Sequence, residues 1–265
     1  MSLMLTALPV QTLSFSFALP QGWHNEALSV ACRLRGAIGL SLAKQCCFYD
    51  AHNTQCEGCD KRPHCHYGQS FKTPQNMQLG HQLKVGCLPH TWSLEVNQIG
   101  LIWQGKLHLA GIAIAHAASW QHAIETLPFA VSWHGEAWWE AGFSHEWCSA
   151  TPARLKFQGR NPKGEVELVE ALVKSVVSKS KMLASMHHLQ FPEVFLNPPC
   201  CLDARWHVVP DFQCGKRSAK DVSGWLLRIS WDQDTCADWL PWLNLIFVLG
   251  VGKQTTFALG RFAKS

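Results

Sequence analysis

The stretch LGVGKQTTFALGRF, Leu249 to Phe262, decides how the rest of the chain is read. Its glycines and lysine suggest a nucleotide-binding phosphate loop, which requires a glycine, four intervening residues and then Gly-Lys-Ser/Thr opening a helix. Phe247 stands where the first glycine belongs, and Gln254 follows Lys253 in place of the hydroxyl residue. Thr255 to Ala263 mixes β-branched and aromatic residues and predicts a closing strand. The reading that survives is a glycine-rich turn with free backbone N–H groups and one lysine, feeding that strand.

Working back from this turn, Trp239 to Val248 predicts a short helix, and Ala204–Phe212 and Gly224–Trp231 predict strands separated by the polar QCGKRSAKDVS. Leu168, Val169, Leu172, Val173, Val176 and Leu183 recur at helical spacing, with Glu167, Glu170, Lys174 and Lys181 off the stripe. That helix opens near Val166, after a GRNPKGE turn and a strand over Ala150–Phe157. The order is β-α-β-β-α-β, the ferredoxin-like split βαβ unit.

The other half repeats this order less cleanly. A strand over Thr12–Leu19 precedes a helix over Glu26–Gln45, for which Asn25 is the expected N-cap. A cysteine-rich segment, about residues 46–74, interrupts the pattern; two or three strands between Leu83 and Ile114, a helix over Ala115–Glu125 and a strand over Phe129–Trp133 complete it. The expected fold is α+β: two tandem ferredoxin-like (RRM-like) domains, 1–148 and 149–265, with a cysteine-rich insertion in the first.

The 265 residues are 47% hydrophobic, enough for well-formed cores, and the formal charge of +4 permits an anionic partner without demanding one. No lysine or arginine precedes Arg33, LSFSFAL alternates like a strand rather than an export signal, and no apolar run is long enough to span a bilayer. Twelve cysteines in that context point to a reducing cytoplasmic setting and to metal ligation over disulfides. Cys47, Cys56, Cys59 and Cys65 are spaced C-x8-C-x2-C-x5-C, a pattern a tetrahedral structural zinc site can use, with Cys46, His64 and His66 as alternative ligands. Four thiolates leave no open position, so such a metal would not be catalytic. The same spacing also fits reduced cysteines with no metal, or an iron–sulfur cluster.

Four segments in order, LRGAIG (Leu34–Gly39), CEGCDKRPHCHY with FKTP (Cys56–Pro74), TPARLKFQGR (Thr151–Arg160) and GVGKQTTFALGRF (Gly250–Phe262), resemble the CRISPR-associated precursor-RNA processing endoribonucleases of the repeat-associated mysterious protein superfamily. The resemblance spans nearly the whole chain, with one departure at Ala258, where related sequences tend to carry glycine. It implies two ferredoxin-like domains and a glycine-rich loop that holds RNA backbone phosphates. It also implies cleavage without a metal or other catalytic cofactor, by attack of a ribose 2′-OH on the adjacent phosphate to leave 2′,3′-cyclic phosphate and 5′-OH ends. The partner implied is the stem-loop of a CRISPR repeat RNA, with other subunits of an effector complex as further partners. A non-catalytic RNA-binding subunit of such a complex is the alternative.

Residue by residue, the resemblance nominates His24, in the first strand-to-helix turn, with Arg35 and Lys253 as the catalytic set. Imidazole suits proton transfer near neutral pH and the cations suit phosphorane charge. Glycines let backbone approach an anionic strand, which nominates Gly250, Gly252 and Gly260, with Thr255 and Arg261, as RNA contacts. Trp23 could stack on a base, and Arg33 is nominated with it as an RNA contact, two residues from Arg35 and so pointing in a different direction on a helix. Arg154, Lys156 and Arg160, with Lys216, Arg217 and Lys220, form the densest basic groups and nominate a track for RNA backbone.

Overall fold

A computed structural model describes residues 8–23, 25–47, 56, 59–61, 64–71, 75–79, 83–87, 89–138, 144, 146–156, 162, 164–192, 196–212, 220–232, 237–252 and 259–264. The chain divides into two compact units, Val10–Trp139 with Phe212–Ala219, and Glu140–Asp211 with Lys220–Ser265 and Met1–Pro9.

In the first unit, β1 (Val10–Ala18) is followed by α1 (Ala27–Cys46), a π-helical turn (Tyr67–Phe71), and a separate hairpin of β2 (Gln75–Leu79) and β3 (Leu83–Cys87). Then come β4 (Trp92–Ile99), β5 (Ile102–Ala110), a 3-10 turn (Gly111–His116), α2 (Ala117–Glu125) and β6 (Val131–Trp138). The main sheet has the order β4-β5-β1-β6, antiparallel throughout. With β2 and β3 set aside this is the strand order of a βαββαβ unit, in which the first and third strands occupy the centre.

The N-cap of α1 is Glu26, not Asn25. Its carboxylate accepts the N–H groups of Leu28 at 3.1 Å and Ser29 at 2.8 Å, so two orphan donors and the positive end of the helix dipole share one anion. Leu28, Leu34, Ile38 and Leu42 of α1 and Trp120 and Ile124 of α2 are buried, as are Leu13 and Phe15 of β1. Gly39 is where α1 becomes thin: a Cβ there would lie 2.2 Å from the Phe71 ring. Phe71 stacks in turn on Trp92 at 5.2 Å, which meets Trp120 at 5.0 Å. The ring of the π-helical turn occupies the groove that this glycine leaves.

The second unit runs β7 (Glu146–Ser149), α3 (Glu165–Met186), β8 (Cys200–Phe212), β9 (Lys220–Ser230), α4 (Leu240–Leu249) and β10 (Phe262–Lys264). Its sheet order, β10-β7-β9-β8, is again that of a βαββαβ unit. The first strand lies earlier than Ala150–Phe157: regular pairing is made by Glu146–Ser149, and Ala153 and Arg154 form only isolated bridges. Pro152 has no N–H to give to a ladder, so the ladder stops before it. Trp147, Leu168, Leu172, Val176, Ile229, Trp242, Ile246 and Phe247 build the core. Among the described residues no helix is long and apolar enough to cross a membrane.

Candidate nucleic-acid interface

The glycine-rich segment begins where α4 stops. Gly250 leaves the helix at φ +89°, and Gly252 and Gly260 take φ +84° and +71°, backbone angles that side-chain-bearing residues rarely adopt. The two ends of the segment are tied together, because Val251 N–H donates to Gly260 O at 2.7 Å and Gly260 N–H donates to Pro152 O at 2.9 Å. A Cβ on Gly252 would stand 2.5 Å from Arg154 O, and one on Gly260 would stand 1.9 Å from Val251 O. Both glycines are therefore needed for backbone to lie against backbone.

Thr151–Lys156 is knitted into the same place. Arg261 N–H donates to Thr151 Oγ1 at 3.0 Å, its carbonyl accepts Ala150 N–H at 2.8 Å, and Arg154 bridges Gly252 in parallel. Ala153 and Leu155 are buried, while Arg154 is half-buried and Lys156 exposed, as alternation along an extended segment requires. Gly250, Gly252, Gly260, Arg261, Arg154 and Lys156 are thus brought together, and two of the four motifs recognised in the sequence meet here. Arg261 is itself buried.

From beneath, α3 supplies two side chains that sequence reasoning missed. Ser175 Oγ accepts the Gly252 N–H at 2.9 Å, and Lys179 Nζ donates to Gly250 O at 2.5 Å. Burial pushes the Lys179 amine down to about 7, since a charge removed from water is disfavoured. The signal was present: Lys179 lies three residues after Val176 and four before Leu183, on the apolar stripe itself.

In the first unit, Arg33 and Arg35 point to different places as expected. Arg33 donates to Gly22 O at 3.2 Å with its guanidinium 6.0 Å from the Trp23 ring, and that ring meets Phe129 edge-on at 5.5 Å. Arg35 sits over Phe71 at 4.5 Å and Trp92 at 5.7 Å, so the first two motifs meet in an aromatic cluster. His24, Lys253, Thr255, Arg160, Lys216 and Arg217 lie outside the described residues, and Lys220 opens β9.

Among the described residues no three His, Cys, Asp or Glu side chains come together in a way that could hold a metal ion. The tetrahedral set of Cys47, Cys56, Cys59 and Cys65 is not supported. Burial and then the neighbouring Cys65 thiol push the Cys46 thiol up. Cys65 Sγ is directed at Cys46 O at 3.8 Å. His66, an alternative ligand, is buried, stacked on His116 at 4.1 Å and edge-on to Trp120 at 5.5 Å. Burial and then His116 lower it to about 3.

This histidine sets an acid limb for folding. Its folded value lies below the unfolded one, so between about pH 6.5 and 3 the unfolded chain binds the extra proton and stability falls as pH falls. The slope attributable to His66 approaches about 1.4 kcal/mol per pH unit. His66→Phe is expected to flatten that limb in denaturant titrations from pH 7 to 4; an unchanged limb would show that His66 does not set it.

A family model described as AF_1859_N, N-terminal domain, matches residues 8–127. No curated protein matches the chain. Among solved structures, a Cas6 product complex superposes with a TM-score of 0.54 at 13% identity, covering 98% of this chain and 100% of that one. A protein from a Cas6-related gene of Pyrococcus furiosus gives 0.52 at 10% identity, covering 98% and 99%. A Cas6 substrate mimic complex gives 0.51 at 12% identity, covering 96% and 99%. The chain therefore carries, over nearly its whole length, the tandem ferredoxin-like fold of the Cas6 proteins.

Proposed function

We propose that the chain is an endoribonuclease that binds the stem-loop of a CRISPR repeat transcript and cleaves the precursor RNA. The observation that carries this reading is the glycine-rich segment closed on TPARLK in the second ferredoxin-like unit, in a fold that one Cas6 neighbour uses to hold its product and another to hold a substrate mimic. The N–H groups of Val251, Gly252, Gly260 and Arg261 are donated within the protein, so cationic side chains are left to meet phosphate there, a contact that carries no sequence information. Lys156, exposed beside Arg154, adds charge at the same place.

The reaction is attack of a ribose 2′-OH on the adjacent phosphorus, forming a cyclic phosphate and expelling the 5′ oxygen of the next nucleotide. His24 transfers a proton and Lys253 balances charge on the phosphorane. Arg35, engaged over Phe71, belongs on this reading to the packing of α1. No metal is needed for any step.

Incubation with repeat RNA in excess EDTA tests the proposal. Cleavage to 2′,3′-cyclic phosphate and 5′-OH ends is expected, and a 2′-deoxy substitution at the scissile nucleotide should abolish it while leaving binding intact. Cleavage that disappears in EDTA and returns with a divalent cation would overturn the mechanism. Binding without cleavage would make the chain an RNA-holding subunit.

A further inference from the structure

We propose that Ser175 and Lys179 of α3 are positioning residues for the glycine-rich segment, a two-point clamp that fixes the backbone in the form that meets RNA phosphate. The inference rests on the functional reading above for its ligand, and on the geometry of the second unit for the clamp itself.

Residues four apart lie on one face of a helix, one above the other. From that face Ser175 takes the N–H of Gly252 and Lys179 gives a proton to the carbonyl of Gly250. The two bonds fall on either side of Val251, whose own N–H is held by Gly260 O. Three consecutive residues at the start of the segment are thereby fixed, two by α3 and one by Gly260, with Val251 fully buried between them.

The direction of each bond matters for function. Gly252 has φ +84° with its N–H turned down to the helix, so that amide is already used and does not bind phosphate. Its bond instead fixes the peptide between Val251 and Gly252. Lys179 is a buried amine whose Nζ donates to a carbonyl, so it serves the protein backbone and is not a phosphate contact. An aliphatic residue on this stripe would satisfy core packing equally well and would leave Gly250 O without this donor. A lysine at a core register position therefore points to a requirement on the segment rather than on the helix.

The test uses the full chain with Ser175→Ala, Ser175→Thr and Lys179→Met. Amide hydrogen exchange of the peptide spanning 250–252 is the first readout and requires no RNA. Ser175→Ala is expected to speed exchange there at least tenfold, with protection elsewhere in α3 unchanged, and Ser175→Thr, which keeps the hydroxyl acceptor, to restore it. The second readout is repeat-RNA cleavage under single-turnover conditions, where Ser175→Ala and Lys179→Met are expected to lose about tenfold or more in rate or affinity. Lys179→Met removes a buried amine but also leaves the buried Gly250 O without its donor, so both readouts are taken at a temperature where circular dichroism shows the variant folded.

Unchanged exchange at 250–252 in Ser175→Ala would overturn the clamp. So would changed exchange accompanied by wild-type binding and cleavage in both variants. If the wild-type protein neither binds nor cleaves repeat RNA, the functional reading fails, and the exchange experiment alone decides whether the clamp exists.

Discussion

Gly260→Val is expected to lower the stability of the second unit by about 4 kcal/mol or more. Two costs combine at this position. A β-branched residue resists φ +71°, which costs roughly 1–3 kcal/mol. The new Cβ would also stand 1.9 Å from Val251 O, 2.9 Å from its carbonyl carbon and 3.0 Å from its nitrogen. Those are backbone atoms, and Val251 N–H is bonded to the carbonyl of Gly260 itself at 2.7 Å. Relief of the clash must break the closure of the segment, since Val251 has no side-chain torsion that moves its carbonyl. For a protein of this size the loss corresponds to about 10 °C or more in the thermal midpoint. Gly100→Asn is the control: it has φ +61° and open space around the position, and asparagine tolerates such angles, so about 1 kcal/mol or less is expected. Calorimetry of both variants decides the matter; a Gly260→Val midpoint equal to wild type would mean the two ends of the segment are not held together.

That closure also explains how much could be read in advance. The helical stripe of α3 and the repeated βαββαβ order follow from local periodicity, and the sheet orders β4-β5-β1-β6 and β10-β7-β9-β8 follow from that order by the geometry of the unit. Ala150–Phe157 reads as a strand because the apolar, buried Ala153 and Leu155 alternate with Arg154 and Lys156. Only pairing distinguishes a strand from an extended segment, and pairing belongs to tertiary structure. Lys179 was missed for a related reason. Lysine is normally a solvated residue, and the carbonyl it serves lies 71 residues away. Asn25 was preferred to Glu26 because short polar residues dominate N-caps, whereas the longer carboxylate here reaches two amides at once.

The motifs divide by what the structure makes of them. Gly39 of LRGAIG and Phe71 of FKTP fit into each other as ring and groove, with Arg35 laid across the ring. These residues hold α1 to the π-helical turn. TPARLK and GVGK with LGRF close a backbone knot whose glycines are there for main-chain approach. Of the four motifs, one pair thus packs together in the first unit and the other pair closes backbone on backbone in the second.

The largest kinetic effect is expected from His24→Ala, which should slow single-turnover cleavage of repeat RNA by roughly two to four orders of magnitude, the usual contribution of a positioned proton-transfer group. RNA affinity should remain close to wild type, because the imidazole acts on the 2′-OH or the leaving oxygen and not on the bound phosphate backbone. The residue follows Trp23, whose N–H closes a turn onto Pro20 O at 3.1 Å, and precedes Glu26, the N-cap of α1. Its neighbours in sequence are therefore held by a turn on one side and a helix start on the other. An imidazole that moves the proton makes the rate depend on its own ionisation, so a pH dependence present in the wild type should be lost in the variant. A His24→Ala protein that cleaves at the wild-type rate, while Lys253→Ala stays folded and does not cleave, would assign the chemistry to charge stabilisation. Catalysis would then consist of orienting the 2′-OH in line and neutralising the phosphorane, and wild type and His24→Ala would share one pH profile.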